Sequence, residues 1–256
     1  MYKGVHGRLP ARLLESELGF FLERGIAPEI AFSCQDLETL SAQQLGAVGR
    51  ELAAAELAVT VHAPFHDLNP GALDPLVSAV TRRRIEQTLA AASCLGARLV
   101  VVHPGFDRWR YQGQEQLWLE ASANFWPPLL LQAAGQNCVL ALENIFDHQP
   151  EPLATLLEQL NSPCLAHCFD IGHWQLFSRL PLARWFERLG PRIVHLHLHD
   201  NRGETDEHLP VGRGTIDFAE LFRLLQTLPH PPSMTCEALS HQELLSSLAT
   251  VVSLRP

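Results

Sequence analysis

Eight short runs rich in aliphatic and β-branched residues recur along this 256-residue chain, and longer stretches with helical periodicity lie between most of them. The runs fall at residues 2–6, 28–33, 57–62, 98–103, 137–143, 165–170, 192–199 and 233–238. Residues 41–56, 75–95, 115–134, 153–160, 217–227 and 240–250 carry the helical patterns, several opened by Ser, Asp or Pro, which suit helix N-termini. One strand and one crossover in about 32 residues is the length of a βα unit. No Gly/Ser linker, low-complexity tract or composition break interrupts the series. Eight such units favour a sheet closed on itself over an open doubly wound one. A Gly-rich dinucleotide turn is missing, since Gly212-Arg213-Gly214 follows a loop and not a strand. The expectation is one α/β domain over residues 1–256, a (β/α)8 barrel.

Barrels of this kind place their chemistry where strands end and loops begin. His62, His103, Glu143 and Asp170 close the third to sixth runs, Glu237 lies at the end of the eighth, and the seventh carries His197. The steps between these residues are 41, 40, 27, 27 and 40. Core packing does not explain the series, because a buried carboxylate is costly without a cation. Two residues before four of these positions stand Thr60, Val101, Ala141 and Cys168, small or branched side chains suited to a barrel interior. The seventh run, IVHLHLHD, alternates imidazole and aliphatic residues, so His195, His197 and His199 share one face of a strand. Two loop groups join them: His173 in FDIGH, and Asp206 with His208 in DEHLPVGRG.

Composition narrows the partners. Net charge is −9 and Lys3 is the only lysine, which leaves little general attraction for a long polyanion. The chain has no 18-residue apolar run, and its opening MYKGVHGRLP lacks an apolar signal core, so a cytoplasmic protein without a membrane anchor is expected. Six cysteines without a C-x-x-C pair read as small buried apolar residues, not as a disulfide framework or zinc knuckle.

In order, VHAPF, HPG, LEN, FDIGH, HLHD, DEHLPVGRG and CEAL resemble the xylose isomerase-like TIM-barrel superfamily, which includes endonuclease IV and many sugar epimerases and isomerases. The resemblance to endonuclease IV implies nine metal ligands. Glu143 would bridge two ions, one also held by His62 and His103, the other by Asp170, His197 and Glu237. A third would lie on His173, Asp206 and His208. The epimerases resemble a subset, with one ion on Glu143, Asp170, His197 and Glu237 and with Glu143 and Glu237 as the catalytic pair. Either way His197 is the implied ligand of the seventh strand, His199 a neighbour that orients it or meets substrate, and His195 a buried, hydrogen-bonded histidine. Mixed imidazole and carboxylate ligands suit Zn2+ or Mn2+, two to three ions in the first arrangement and one in the second.

Four carboxylates against three divalent ions leave about +2 at the site, which suits a phosphate ester and a metal-bound water. Three carboxylates against one ion leave about −1, which suits a neutral sugar. All nine ligand positions are occupied, so the sequence favours hydrolysis of a modest-sized phosphoester, with sugar or sugar-phosphate isomerisation or epimerisation as the alternative and a non-catalytic sugar- or metal-binding barrel as a third class. Long DNA is disfavoured, because no Lys or Arg lies between Arg24 and Arg50, where the endonuclease would carry an inserting loop. A small phosphorylated or sugar substrate would meet Arg108 and Trp109 in GFDRWRYQG, His199, and Arg213, which replaces an acidic residue expected between the two glycines.

Overall fold

Eight strands carry the backbone around a single closed parallel barrel: β1 (Val5–Pro10), β2 (Ala27–Ala31), β3 (Thr60–His62), β4 (Leu99–Val102), β5 (Val139–Glu143), β6 (Leu165–Asp170), β7 (Ile193–Leu198) and β8 (Ser233–Cys236). This computed structural model describes residues 4–255. Each strand pairs in parallel with the next, and β8 returns to β1 through Val5–Met234, His6–Thr235 and Gly7–Cys236. Helices cross over between consecutive strands, which makes this a (β/α)8 TIM barrel.

The first strand departs from the sequence expectation. It runs 5–10, whereas the sequence pattern points to 2–6, and residues 1–3 lie outside the described chain. VHGRLP looks unlike a strand because it contains Gly7 and Pro10. Gly7 is there for space, since a Cβ on it would stand 2.7 Å from the Leu244 side chain and 3.1 Å from Phe21. Two outer helices, Leu14–Arg24 and His241–Leu254, therefore press directly on the β1 backbone. The long helix expected over 115–134 is two, Glu115–Phe125 and Pro127–Gly135, because Pro127 and Pro128 have no N–H to continue the ladder.

The apolar core is the layer between strands and helices, where Phe21, Trp118, Phe125, Trp126, Phe169 and Trp185 are fully buried. Inside the barrel Val101, Ala141 and Cys168 form a small separate cluster. Thr60, expected with them, belongs to a polar group at the axis with Glu29, His195 and Thr235, all buried. The six cysteines are free, three buried and three half-buried. Among the described residues no helix is long and apolar enough to cross a membrane.

Candidate active site

At the C-terminal mouth, Glu143 from the end of β5 is 1% exposed and surrounded by imidazoles. Its Oε2 lies 3.1 Å from His62 Nε2 and 3.2 Å from His103 Nε2, and its Oε1 lies 3.3 Å from both His197 Nδ1 and His173 Nδ1. His62 places its other nitrogen 2.8 Å from the Ala63 carbonyl. A carbonyl only accepts, so Nδ1 carries the proton, and the His62 Nε2 lone pair faces a carboxylate oxygen. Two lone pairs at that distance require a proton or a cation between them.

Asp170, at the end of β6, caps the helix Ile171–Phe177 by accepting the His173 N–H at 2.7 Å. Asn144 fixes its backbone from both sides at 2.9 Å. Asp170 also lies 3.8 Å from His197 Nδ1 and 3.2 Å from His199 Nε2. Gly172 in FDIGH leaves room for that histidine, since a Cβ there would fall inside the His199 ring. Glu237, just past β8, is 4.0 Å from His197 Nδ1 and 3.7 Å from His208 Nδ1. One atom each of Asp170, His197 and Glu237 lie within 4.8 Å of one another, as do those of His62, Glu143 and His197.

The third group closes over the top. Asp206 lies 3.1 Å from His208 Nε2, 3.6 Å from His173 Nε2 and 3.6 Å from His199 Nδ1, and the His199 and His208 rings stack at 4.0 Å. His208 holds φ at 50°, a left-handed conformation costly for a side-chain-bearing residue and typical of functional sites. Asp200 anchors this loop: its carboxylate accepts the N–H groups of Gly212, Gly214 and Ile216 at 2.7–3.2 Å, and its backbone bridges Leu209.

All nine expected ligand positions thus meet at one mouth, with His199 among them. His195 is buried, with Nδ1 2.6 Å from Ser233 Oγ and Nε2 2.9 Å from Thr235 Oγ1. Arg108 stacks over Trp109, which is 57% exposed on the lip beside Phe146 and Phe177. Phe177 reaches back to His173, 6.4 Å between ring centroids. Arg213 is not drawn in: it is exposed, and the flanking glycine amides are used on Asp200, so the GRG turn is no anion cradle.

Sequence reasoning misses four site residues. Arg8 reaches 3.7 Å from Glu237 Oε1 and is hidden by the misplaced first strand. Phe146 and Phe177 have no distinguishing pattern. Glu29 has one: it is the only charged residue in the run PEIAFS, yet it sits inside the barrel, fully buried.

Charges in the cluster are interdependent. Burial alone would raise the Glu143 carboxyl, but His197 and His103 hold it well below its ordinary value. Asp170 is likewise lowered against burial, by His173 and His199. Burial opposes protonation of His173 and His197, yet Asp170, Asp206 and Glu143 raise the first, and Cys168 with Glu29, Glu143 and Glu237 raise the second, well above the usual imidazole range. Converging carboxylates and imidazoles, each needing positive charge between them, fit a divalent ion of borderline softness.

Residues 24–251 match the family described as xylose isomerase-like TIM barrel. The TTHB071 protein from Thermus thermophilus, in a structure soaked with ZnCl2, is 27% identical with a TM-score of 0.83, covering 98% of this chain and 97% of that one. A D-tagatose 3-epimerase-like protein is 25% identical with a TM-score of 0.85, covering 97% and 96%. A probable endonuclease 4 of Mycobacterium tuberculosis is 30% identical over 183 residues, 65% of this chain and 68% of its own length. Across the sequence relatives it matches, the chain spans from about half to about three quarters of their length.

Proposed function

Because the chain belongs to the xylose isomerase-like TIM-barrel family, we propose that it is a divalent-metal-dependent isomerase or epimerase of a small sugar or sugar phosphate, with Glu143 and Glu237 as the proton-transferring pair. One observation carries this reading: two carboxylates from opposite parts of the barrel, on β5 and after β8, converge on His197 Nδ1 at 3.3 and 4.0 Å beside Asp170. Such a pair can address a carbon from two faces. The likeness to an epimerase-like protein over nearly the full chain supports it, as does the basic-poor stretch between Arg24 and Arg50, which offers nothing to hold DNA. This reverses the order of preference drawn from ligand counting.

Glu143, Asp170, His197 and Glu237 would hold the ion, Zn2+ or Mn2+ by their chemistry. When bound, it polarises the substrate carbonyl and its neighbouring hydroxyl oxygen. One glutamate takes the proton from the carbon beside that carbonyl, and the electron pair of the broken C–H bond shifts toward the carbonyl oxygen. The other glutamate returns a proton to the opposite face, and the configuration inverts. His173 lines the same mouth and would meet a hydroxyl group, fully buried His199 would orient Asp170 from behind, and the Trp109 lip, with Arg108 above it, would cover the sugar.

A second reading keeps one specific observation. His62 and His103 both face Glu143 Oε2, the oxygen turned away from His197, as a bridging carboxylate in a two- or three-ion phosphoesterase would require. The His208→Ala variant separates the two. Under the isomerase reading, metal content is unchanged and proton exchange on ketoses persists with weaker substrate affinity. Loss of roughly one ion per chain, with phosphodiester cleavage falling on the order of 100-fold, would instead establish hydrolysis.

A further inference from the structure

Below the ligand cluster lies a second buried carboxylate that none of the chemistry above uses. Glu29 on β2 accepts the hydroxyls of Thr60 and Thr235 on Oε2, each at 3.0 Å, and the same oxygen lies 3.0 Å from His195 Nε2. With one oxygen held by two hydroxyls and flanked by His195, the carboxylate is restrained and so is the position of Oε1. That Oε1 makes no hydrogen bond, and 3.0 Å from it stands His197 Nε2, also without one. A buried carboxylate oxygen and a buried imidazole edge are each costly alone and complementary together. The opposite edge of His197, Nδ1, is unpaired too and faces Glu143, Asp170 and Glu237.

We propose that Glu29 is the positioning residue of the metal site. By accepting the His197 Nε2–H it fixes the tautomer and plane of the ring, so that the Nδ1 lone pair is presented to the ion. The inference rests on the metal-site reading above. A carboxylate behind a ligating imidazole raises its basicity and removes its freedom to flip, which is worth roughly 10- to 100-fold in metal affinity. Thr60 and Thr235 hold Glu29 in turn, and His195 steadies Thr235, so β2, β3, β7 and β8 all contribute to aiming one nitrogen. An ion seated instead between Glu29, His195 and His197 is disfavoured, because both His195 nitrogens are committed to Ser233 and Thr235 and Oε2 already accepts two hydroxyls.

The test is zinc affinity, by chelator competition, of metal-stripped wild type, Glu29→Gln and Glu29→Leu, with imidazole 15N spectra of the zinc-loaded proteins. The expected result is a dissociation constant raised about tenfold for Glu29→Gln and further for Glu29→Leu, in chains that still unfold cooperatively. Wild-type His197 should show Nε2 protonated and Nδ1 on the metal. Affinities within twofold of wild type, or a His197 ligating through Nε2, would overturn the proposal, as would loss of a whole ion with the affinity of the remainder unchanged. Should both Glu29 variants fail to fold, Thr235→Val, which removes one hydroxyl holding Glu29, is expected to weaken zinc binding severalfold, and unchanged affinity there would contradict the inference. Wild type that binds no zinc at all would instead sink the underlying metal-site reading.

Discussion

His167 shows how differently one residue type is used across this barrel. It lies on β6 between inward-facing Ala166 and Cys168, but points to the helix layer, with Nδ1 donating to the Leu142 carbonyl at 2.7 Å. Burial pushes its pKa down to about 4. A histidine depressed in the folded state contributes stability that is present above its unfolded value near 6.5 and is lost as pH falls through about 4. His167→Asn, which can keep a donor to the same carbonyl, is therefore expected to flatten the stability profile between pH 6.5 and 4 by on the order of 3 kcal/mol. Urea unfolding across that window checks it, and profiles of equal slope would exclude His167 as the source. Single residues are legible in the sequence only where a rule about position applies. Strand-end placement points to His62, His103, Glu143, Asp170, His197 and Glu237, whereas Glu29 stands mid-strand, and its one local mark, a lone charge in the apolar run PEIAFS, does not say that two threonines from β3 and β8 bury it.

Between residue and barrel stand the elements, and here the loops decide what sequence reasoning can reach. The loop carrying Asp206 and His208 has no regular structure, yet it is fixed because Asp200 gathers three backbone N–H groups from the turn that follows. Asp200→Ala leaves those donors without their acceptor, a loss of about 2–4 kcal/mol. The same change should weaken any substrate contact made by His208, readable as lower thermal stability together with weaker ketose affinity at unchanged zinc content. A variant with wild-type stability would mean that the loop is held elsewhere. Strands with unbroken aliphatic character, such as LVVV in β4, are readable directly, because parallel strands buried on both faces are apolar throughout. β1 is not, since its glycine answers to Leu244, more than two hundred residues away in sequence. The split at Trp126-Pro127 is readable in principle from proline alone.

For the whole molecule, the regular alternation of strand and helix is enough to anticipate a closed barrel, because parallel strands with short crossovers have few other ways to cover both faces. Closure also explains the site: it brings His62 on β3 and Glu237 after β8 to one mouth, which no local pattern could specify. The choice between one ion and several depends on distances among side chains from six strands and strand ends, the helix Ile171–Phe177 that carries His173, and one loop, and these are set by packing, not by spacing in sequence. The central claim is that Glu143 and Glu237 exchange protons with a sugar carbon. It is tested most directly by incubating the zinc- or manganese-loaded protein with a panel of ketoses and ketose phosphates in D2O and following deuterium at the carbon beside the carbonyl by NMR. The predicted result is incorporation with epimer formation in wild type, and loss of epimer formation in both Glu143→Gln and Glu237→Gln. Metal-loaded wild type that incorporates no deuterium from any of these sugars, while cleaving a phosphodiester, would contradict it.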